Sequence, residues 1–178
     1  IYYMNLFKLL EKIRISQCLK YCQGKILDIG CGHNALVKKY GNGVGVDVYP
    51  WEGVDVVCDT TNLPFKESEF DRVFLIASLN HIPRKNREKV LKEAFRVLKP
   101  NGMIVITMIG PKIGFWVHKF GSFFRWDTDQ TERGMKSGEA YGMSQKAVKD
   151  LLTKTGFKEI YLKKFELGFN VIFLAKKP

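Results

Sequence analysis

Several residues in this chain have types and spacings suited to chemistry. Asp28 stands two residues ahead of Gly30 and Gly32 in KILDIGCGHN (Lys25–Asn34), which reads as an apolar run, a carboxylate and a sharp turn. Asp47 lies near the end of GVGVDV (Gly43–Val48), and Asp59 ends a third short run that begins at Val54. His81 follows the apolar run Val73–Leu79 beside Asn80, and an unperturbed imidazole takes a proton near neutral pH. Glycines placed this way let the backbone turn sharply and approach a ligand, while the helix that follows offers unpaired N–H groups.

The elements that must hold these residues follow from the apolar spacing. Ile26, Leu27 and Ile29 predict a buried strand, and Ala35, Leu36, Val37 and Tyr40 predict a helix capped by Asn34 and stopped at Gly41. A strand, ligand-binding turn and helix serve two cofactor classes, and Gly30, Gly32 and Ala35 match the dinucleotide pattern as written. Asp28 discriminates between them. Its carboxylate would sit near an anionic pyrophosphate, and like charges repel, whereas S-adenosylmethionine brings a sulfonium and an ammonium group. Asp47 lies at the spacing of an acidic residue that accepts from a ribose diol.

With these motifs in hand, the chain resembles the class I S-adenosylmethionine-dependent methyltransferases, in particular the small-molecule branch containing the ubiquinone and menaquinone C-methyltransferases. The resemblance runs from about Lys25 to the C-terminus, through LDIGCG, GVDV, CDTTNLPF, FDRVFLIASLNHI and FRVLKPNG in order. It implies a Rossmann-like α/β three-layer sandwich whose seven-stranded, mostly parallel sheet ends in an antiparallel hairpin. It also implies a cofactor site: Asp28, Gly30, Cys31 and Gly32 around the methionine end, Asp47 on the ribose and Val48 beside the adenine. In the same pattern Asp59 accepts from the adenine amino group beside the Thr60 backbone, and Ser78 lines the cofactor near its methyl. Asn34 stands where many relatives have glycine; Asn tolerates a left-handed backbone.

The rest of the chain predicts one domain, residues 1–178, with a helical cap over 1–24 and a substrate-side insertion over 111–143. Phe70–Ala77 reads as the central strand, Arg84–Lys99 as an amphipathic helix with its charges outward, Lys99–Gly102 as a turn and Met103–Met108 as another buried strand. A helix is expected over Ser144–Thr155. The last two strands, Lys158–Lys164 and Phe169–Lys176, are too close in sequence for a crossover, so they must pair antiparallel, unlike an all-parallel dinucleotide-binding sheet. Phe115, Trp116, Phe120, Phe123, Phe124 and Trp126 crowd one irregular stretch. It reads as a lid over an apolar pocket, as a membrane-surface contact or as core packing. The N-terminal helix, with Tyr2, Tyr3 and Phe7, either covers the cofactor or only packs on the sheet.

Composition narrows the function classes. The 178 residues, 46% hydrophobic, suit a globular domain, and no apolar run approaches the roughly 20 residues of a bilayer span. Nothing visible reads as a signal peptide, and a segment ahead of Ile1 stays open. Cys18, Cys22, Cys31 and Cys58 lack zinc-site spacing and fit reduced thiols in a cytoplasmic protein, with Cys18 and Cys22 as packing residues rather than a redox or metal pair. No metal is expected. The net charge of +11 fits either a solvated basic surface or an RNA partner, the former favoured.

Methyl transfer needs a base only if the acceptor loses a proton, and His81 is then the candidate, unless it merely bonds a loop. His33 and His118 rank lower. Ala77-Ser78-Leu79-Asn80 stands where base-amino methyltransferases carry a [D/N/S]-P-P-[Y/F] motif, and no cysteine lies there to attack a pyrimidine. The paired glutamates of protein arginine methyltransferases and a metal-binding acidic set are also missing. Three functions remain: methylation of a small, partly apolar molecule, methylation of RNA, and a non-catalytic module that binds the cofactor. Oligomeric state is not legible.

Overall fold

The computed structural model describes residues 6–116 and 137–178. Its strands are β1 (Ile26–Ile29), β2 (Gly43–Asp47), β3 (Val56–Val57), β4 (Phe70–Ile76), β5 (Leu98–Ile109), β6 (Lys158–Phe165) and β7 (Asn170–Lys176). The helices are α1 (Leu6–Leu19), α2 (Ala35–Tyr40), α3 (Arg84–Val97) and α4 (Gln145–Lys154). A short helical stretch also occupies 111–116. The seven strands run in the order β3-β2-β1-β4-β5-β7-β6. The five from β3 to β5 are parallel, and β7 is antiparallel to both β5 and β6.

That topology is the one expected from the spacing. Only the turn Glu166–Gly168 joins β6 to β7, far too little chain for a parallel crossover. From β1 the chain winds outward through β2 and β3, then returns to β4 on the other side, so strand order reverses between β1 and β4. A ligand crevice opens at the carboxyl ends of the strands at such a reversal.

Central strands buried on both faces explain the near-continuous apolar runs. Leu27, Ile29, Val73, Leu75, Ile104 and Ile106 pack toward Val90, Leu91, Ala94 and Val97 of α3 and Val148 and Leu152 of α4. Ile26, Phe74, Val105 and Ile172 face the other way, toward Ile15 and Cys18 of α1 and Leu36 and Val37 of α2. Each fully buried aliphatic side chain contributes roughly 1.5–3 kcal/mol. In α4 the Ser144 side chain accepts from Ala147 N at the first turn, a conventional cap.

Several boundaries differ from expectation. The third strand shrinks to Val56–Val57: Val54 N donates to Trp51 O in the loop after β2, and Asp55 N donates to Gly45 O of β2. Asn34 has the left-handed backbone, φ 60°, but its side chain makes no capping bond. Instead its Nδ2 donates to Gly53 O at 3.0 Å and to Asp55 Oδ2 at 2.8 Å, and the same Asp55 oxygen accepts from Gly45 N at 2.7 Å. The expected Lys99–Gly102 turn is drawn into β5 as an irregularity, with Asn101 at φ 61° and a register shift opposite Phe70 and Arg72. Among the described residues no helix is long and apolar enough to cross a membrane. The residues predicted for the aromatic stretch from 117 to 136, His118 among them, lie outside the described residues, as do Tyr2, Tyr3 and the side chain of Phe7.

Candidate functional site

The turn after β1 is held from three sides. Gly30 N and Cys31 N both donate to Val46 O at 2.8 and 3.1 Å, and Gly32 N donates to Asp47 Oδ2 at 3.0 Å. From the other side of the reversal, Ser78 Oγ donates to Ile29 O at 2.7 Å. The two glycines do different jobs. At Gly30, φ 72°, a Cβ would lie 2.5 Å from the Cβ of Ser78, so the protein itself requires glycine there. At Gly32, φ 53°, a Cβ would meet nothing within 4 Å. The space beside Gly32 is open.

Asp28 sits under this turn, 2% exposed, and its Oδ1 has no hydrogen-bond partner. Burial, reinforced by the carboxylate of Asp47, pushes its pKa up to about 8. Without a ligand the group therefore carries mostly a proton at neutral pH. A neutral carboxyl repels a pyrophosphate less than a carboxylate does, and a cation beside it restores the charge. Burial, with Asp28 adding to it, also drives the thiols of Cys18, Cys22 and Cys31 well upward, which removes thiolate chemistry from this neighbourhood. All four cysteines are free thiols, and Cys18 is fully buried against the sheet. Among the described residues no group of three or more His, Cys, Asp or Glu side chains could hold a metal ion.

Asp47, 8% exposed, braces the turn rather than waiting free. Its Oδ1 accepts from Tyr49 N and its Oδ2 from Gly32 N, both at 3.0 Å. A carboxylate has about four acceptor sites, so two remain for a ligand. Cys58 N donates to Asp47 O at 3.0 Å, which ties the end of β3 to the end of β2 and places Asp59 and Thr60 beyond it. Asp59 is exposed, its Oδ1 accepts from Thr61 N at 2.8 Å, and that bond holds its pKa below the usual carboxylate range. Thr60 is buried, whereas Val48 is 54% exposed on the rim. Next to it the Trp51 ring stacks at a tilt between His33, centroids 5.5 Å apart, and Tyr49, 4.5 Å apart.

The end of β4 forms the other half. Ala77 has φ 50°, an uncommon value for a residue with a side chain, and its N donates to Thr107 Oγ1 at 2.9 Å. A 3-10 turn, Leu79–His81, follows. His81 Nδ1 lies 3.6 Å from Glu139 Oε2, a carboxylate whose side chain is 1% exposed. Asn80 exchanges two bonds with Ala140: Nδ2 to Ala140 O at 3.0 Å, and Ala140 N to Asn80 O at 2.9 Å. Arg87 spans the junction, donating from Nε to Ile82 O at 2.9 Å and from Nη2 to Asn80 O at 3.1 Å and Gly138 O at 3.4 Å.

The structure therefore bonds Gly30, Cys31, Gly32, Asp47 and Ser78 into one turn with Asp28 buried just before it, and places Val48, Asp59 and Thr60 along its β2–β3 side. His81 stands farther out, on the turn beyond Ser78. Arg87 was expected among the outward charges of α3 and is instead buried, 8% exposed, with its guanidinium donating to three backbone carbonyls. Neither Arg87 nor Glu139 is marked by a motif; Gly138 lies 51 residues beyond Arg87 and His81 more than 50 before Glu139, and only the closing of the loop onto β4 unites them.

Comparison with known proteins accords with this arrangement. A family model described as a methyltransferase domain matches residues 27–106. The chain is 31% identical over 142 residues to a ubiquinone/menaquinone biosynthesis C-methyltransferase of Desulfotalea psychrophila, covering 74% of this chain and 54% of that protein. It is 34% identical over 92 residues to a probable tRNA methyltransferase 9B of Mus musculus, covering 46% of this chain and 21% of the relative. A solved structure of an S-adenosylmethionine-dependent methyltransferase from Thermotoga maritima, a possible histamine N-methyltransferase, shares the fold. Its TM-score is 0.72 at 21% identity, over 95% of this chain and 89% of that one. The chain spans between 21% and 62% of the length of the first curated relatives it matches. Its sheet order and antiparallel hairpin are those of the class I S-adenosylmethionine-dependent methyltransferase fold, and a methyltransferase domain is matched from β1 to β5.

Proposed function

We propose that this chain transfers a methyl group from S-adenosylmethionine to a small, partly apolar acceptor. The observation that carries the reading is Asp28, a buried carboxyl with an unpartnered oxygen beneath a turn whose Gly32 opens onto free space. A cationic ligand restores that carboxyl's charge and an anionic one does not. When bound, the cofactor supplies a methyl group already activated for in-line displacement.

The chain's own residues bind and align. Asp28, Gly30, Cys31 and Gly32 would hold the methionine end, and Asp47 would accept from the ribose hydroxyls with its two remaining lone pairs. Val48 flanks the adenine, Asp59 accepts from its amino group beside the Thr60 backbone, and Ser78 keeps the β4 end against the turn. α1, which packs on α2 and the sheet, serves as the cap, and 111–143 as the substrate-side insertion. His81 takes the acceptor's proton where one must leave, and the buried Glu139 carboxylate stabilises the resulting imidazolium. Such alignment is what the protein contributes to this class of reaction.

An apolar cavity of about 260 Å³ supports a partly apolar acceptor; Met108, Ile113, Met143, Phe169, Val171 and Phe173 line it. The likeness to a quinone C-methyltransferase points the same way. RNA is the second reading, favoured by the net charge of +11 and the tRNA methyltransferase relative. Four free thiols fit a reducing compartment such as the cytoplasm. The test is incubation with S-adenosylmethionine labelled in its methyl group, with demethylated quinols and bulk tRNA offered side by side. Label extracted with the quinol supports the proposal, and label in tRNA replaces it with the second reading. Label in neither, with cofactor bound, leaves only a binding module.

A further inference from the structure

The turn between β6 and β7 carries a feature that neither the core nor the cofactor site uses. Glu166, Leu167 and Gly168 occupy left-handed backbone in succession, at φ 50°, 55° and 87°, and two of them have side chains that disfavour it. The conformation thrusts Leu167 into solvent, 96% exposed. Leu167 does not line the apolar cavity either, although its neighbours Gly168 and Phe169 do.

The surroundings extend the pattern. Ile109 pairs with Asn170, so this turn lies at the carboxyl end of the parallel strands, on the cofactor rim. Phe169 is 51% exposed beside it, and Phe115 and Trp116 are 44% and 52% exposed after β5. Of the exposed large apolar side chains among the described residues, only Tyr161, within β6, lies away from that rim. The charge there is basic. Lys163 and Lys164 are exposed on β6, with Lys112 after β5, and the Lys164 stem passes 4.0 Å from where a Gly168 Cβ would be. The one acid at the turn, Glu166, is held by Asn170 Nδ2.

We propose that the β6–β7 turn docks this chain on an anionic lipid surface, Leu167 and Phe169 entering the headgroup boundary while Lys112, Lys163 and Lys164 meet the lipid phosphates. Apolar side chains flanked by lysines are what such a surface recognises. An aliphatic side chain held out in solvent favours lipid over RNA, whose bases are bound by stacking on planar groups. Docking would set the mouth of the apolar cavity, through Gly168 and Phe169, against the lipid phase. The inference does not depend on methyl transfer, since lipid binding is read without turnover.

The experiment is co-sedimentation with vesicles of phosphatidylcholine alone and of phosphatidylcholine mixed with phosphatidylglycerol. The chain is expected to sediment with the mixed vesicles and only weakly with the neutral ones. Leu167→Asp should lower the partition about tenfold or more, the loss expected from one buried leucine. Lys163→Glu with Lys164→Glu should erase the preference for the anionic vesicles. Affinity for S-adenosylhomocysteine, measured on each variant, should match the parent and establishes that the variants are folded. Failure of the parent chain to sediment with mixed vesicles, equal binding by Leu167→Asp, or binding to RNA in place of vesicles would each overturn the proposal. A chain that binds vesicles but not S-adenosylhomocysteine would retain the docking inference and lose the cofactor reading.

Discussion

The two halves of the site are built on opposite plans. Around β1 and β2, Asp28, Gly30, Gly32 and Asp47 fall within a span of about 20 residues: Gly32 N donates to Asp47, Gly30 N to Val46 O, and Asp28 is buried in the strand just before them. Around β4, Asn80 reaches Ala140 and Arg87 reaches Gly138 across 50 residues or more, and those bonds close only when the segment at 138–140 folds back. The near half is a local turn that any cofactor of the right charge can use; the far half is a tertiary clamp. This division fits a domain whose donor is constant and whose acceptor varies among relatives.

Glycine substitutions are the hardest test of the near half. Gly30→Ala places a Cβ 2.5 Å from Ser78 Cβ at φ 72°, and should cost about 2–4 kcal/mol and lower Tm by roughly 5–15 °C. Gly32→Ala meets no neighbour, so its folding cost should stay near 1 kcal/mol while affinity for S-adenosylhomocysteine collapses. Thermal denaturation beside calorimetry separates the two. Equal losses of stability would mean that the space beside Gly32 is not a ligand's.

Arg87→Ala attacks the far half. It removes the donors to three carbonyls and the cation beside Glu139, and should cost about 2–3 kcal/mol. S-adenosylhomocysteine affinity should change by no more than a few fold. A large loss of cofactor affinity would show the halves to be one unit.

Smaller effects sharpen the contrast. Asp47→Ala strips the acceptor from Gly32 N and Tyr49 N as well as from a ribose, and should weaken cofactor binding by about 1.5–3 kcal/mol. An unchanged dissociation constant would take Asp47 out of the site. His81→Ala should lower turnover with cofactor affinity intact, and Glu139→Gln should lower turnover by less, since it removes only the carboxylate beside the imidazole. Full turnover by His81→Ala would end its assignment as base.

The same contrast explains what could be read in advance. The near half was legible because its carboxylates and glycines are consecutive and because strand periodicity set their faces. Antiparallel β6 and β7 were legible from the few residues between them. Arg87 was not, since a helical wheel places it among charges and nothing local reports that the carbonyls of Ile82, Asn80 and Gly138 converge on its guanidinium. Asn34 was half legible: its left-handed backbone follows from residue type, but its side chain bonds Asp55 and Gly53, which requires knowing how the loop after β2 folds back.

Asp28 carries the central claim, and proton linkage tests it directly. Its pKa of about 8 in the ligand-free chain, against 3.8 for an ordinary Asp, means the folded state binds more protons than the unfolded one between those values. Stability without ligand therefore falls as pH rises through that window, and Asp28→Asn should remove the fall. The ammonium group that S-adenosylhomocysteine shares with S-adenosylmethionine favours the charged carboxylate, so its binding must expel the proton. Calorimetric titration with S-adenosylhomocysteine near neutral pH, in buffers of different ionisation enthalpy and with NAD as control, measures this. S-adenosylhomocysteine should bind in the micromolar range with proton release that Asp28→Asn abolishes, and NAD should not bind. Binding of NAD, or binding of S-adenosylhomocysteine without proton release, would contradict the role given to Asp28.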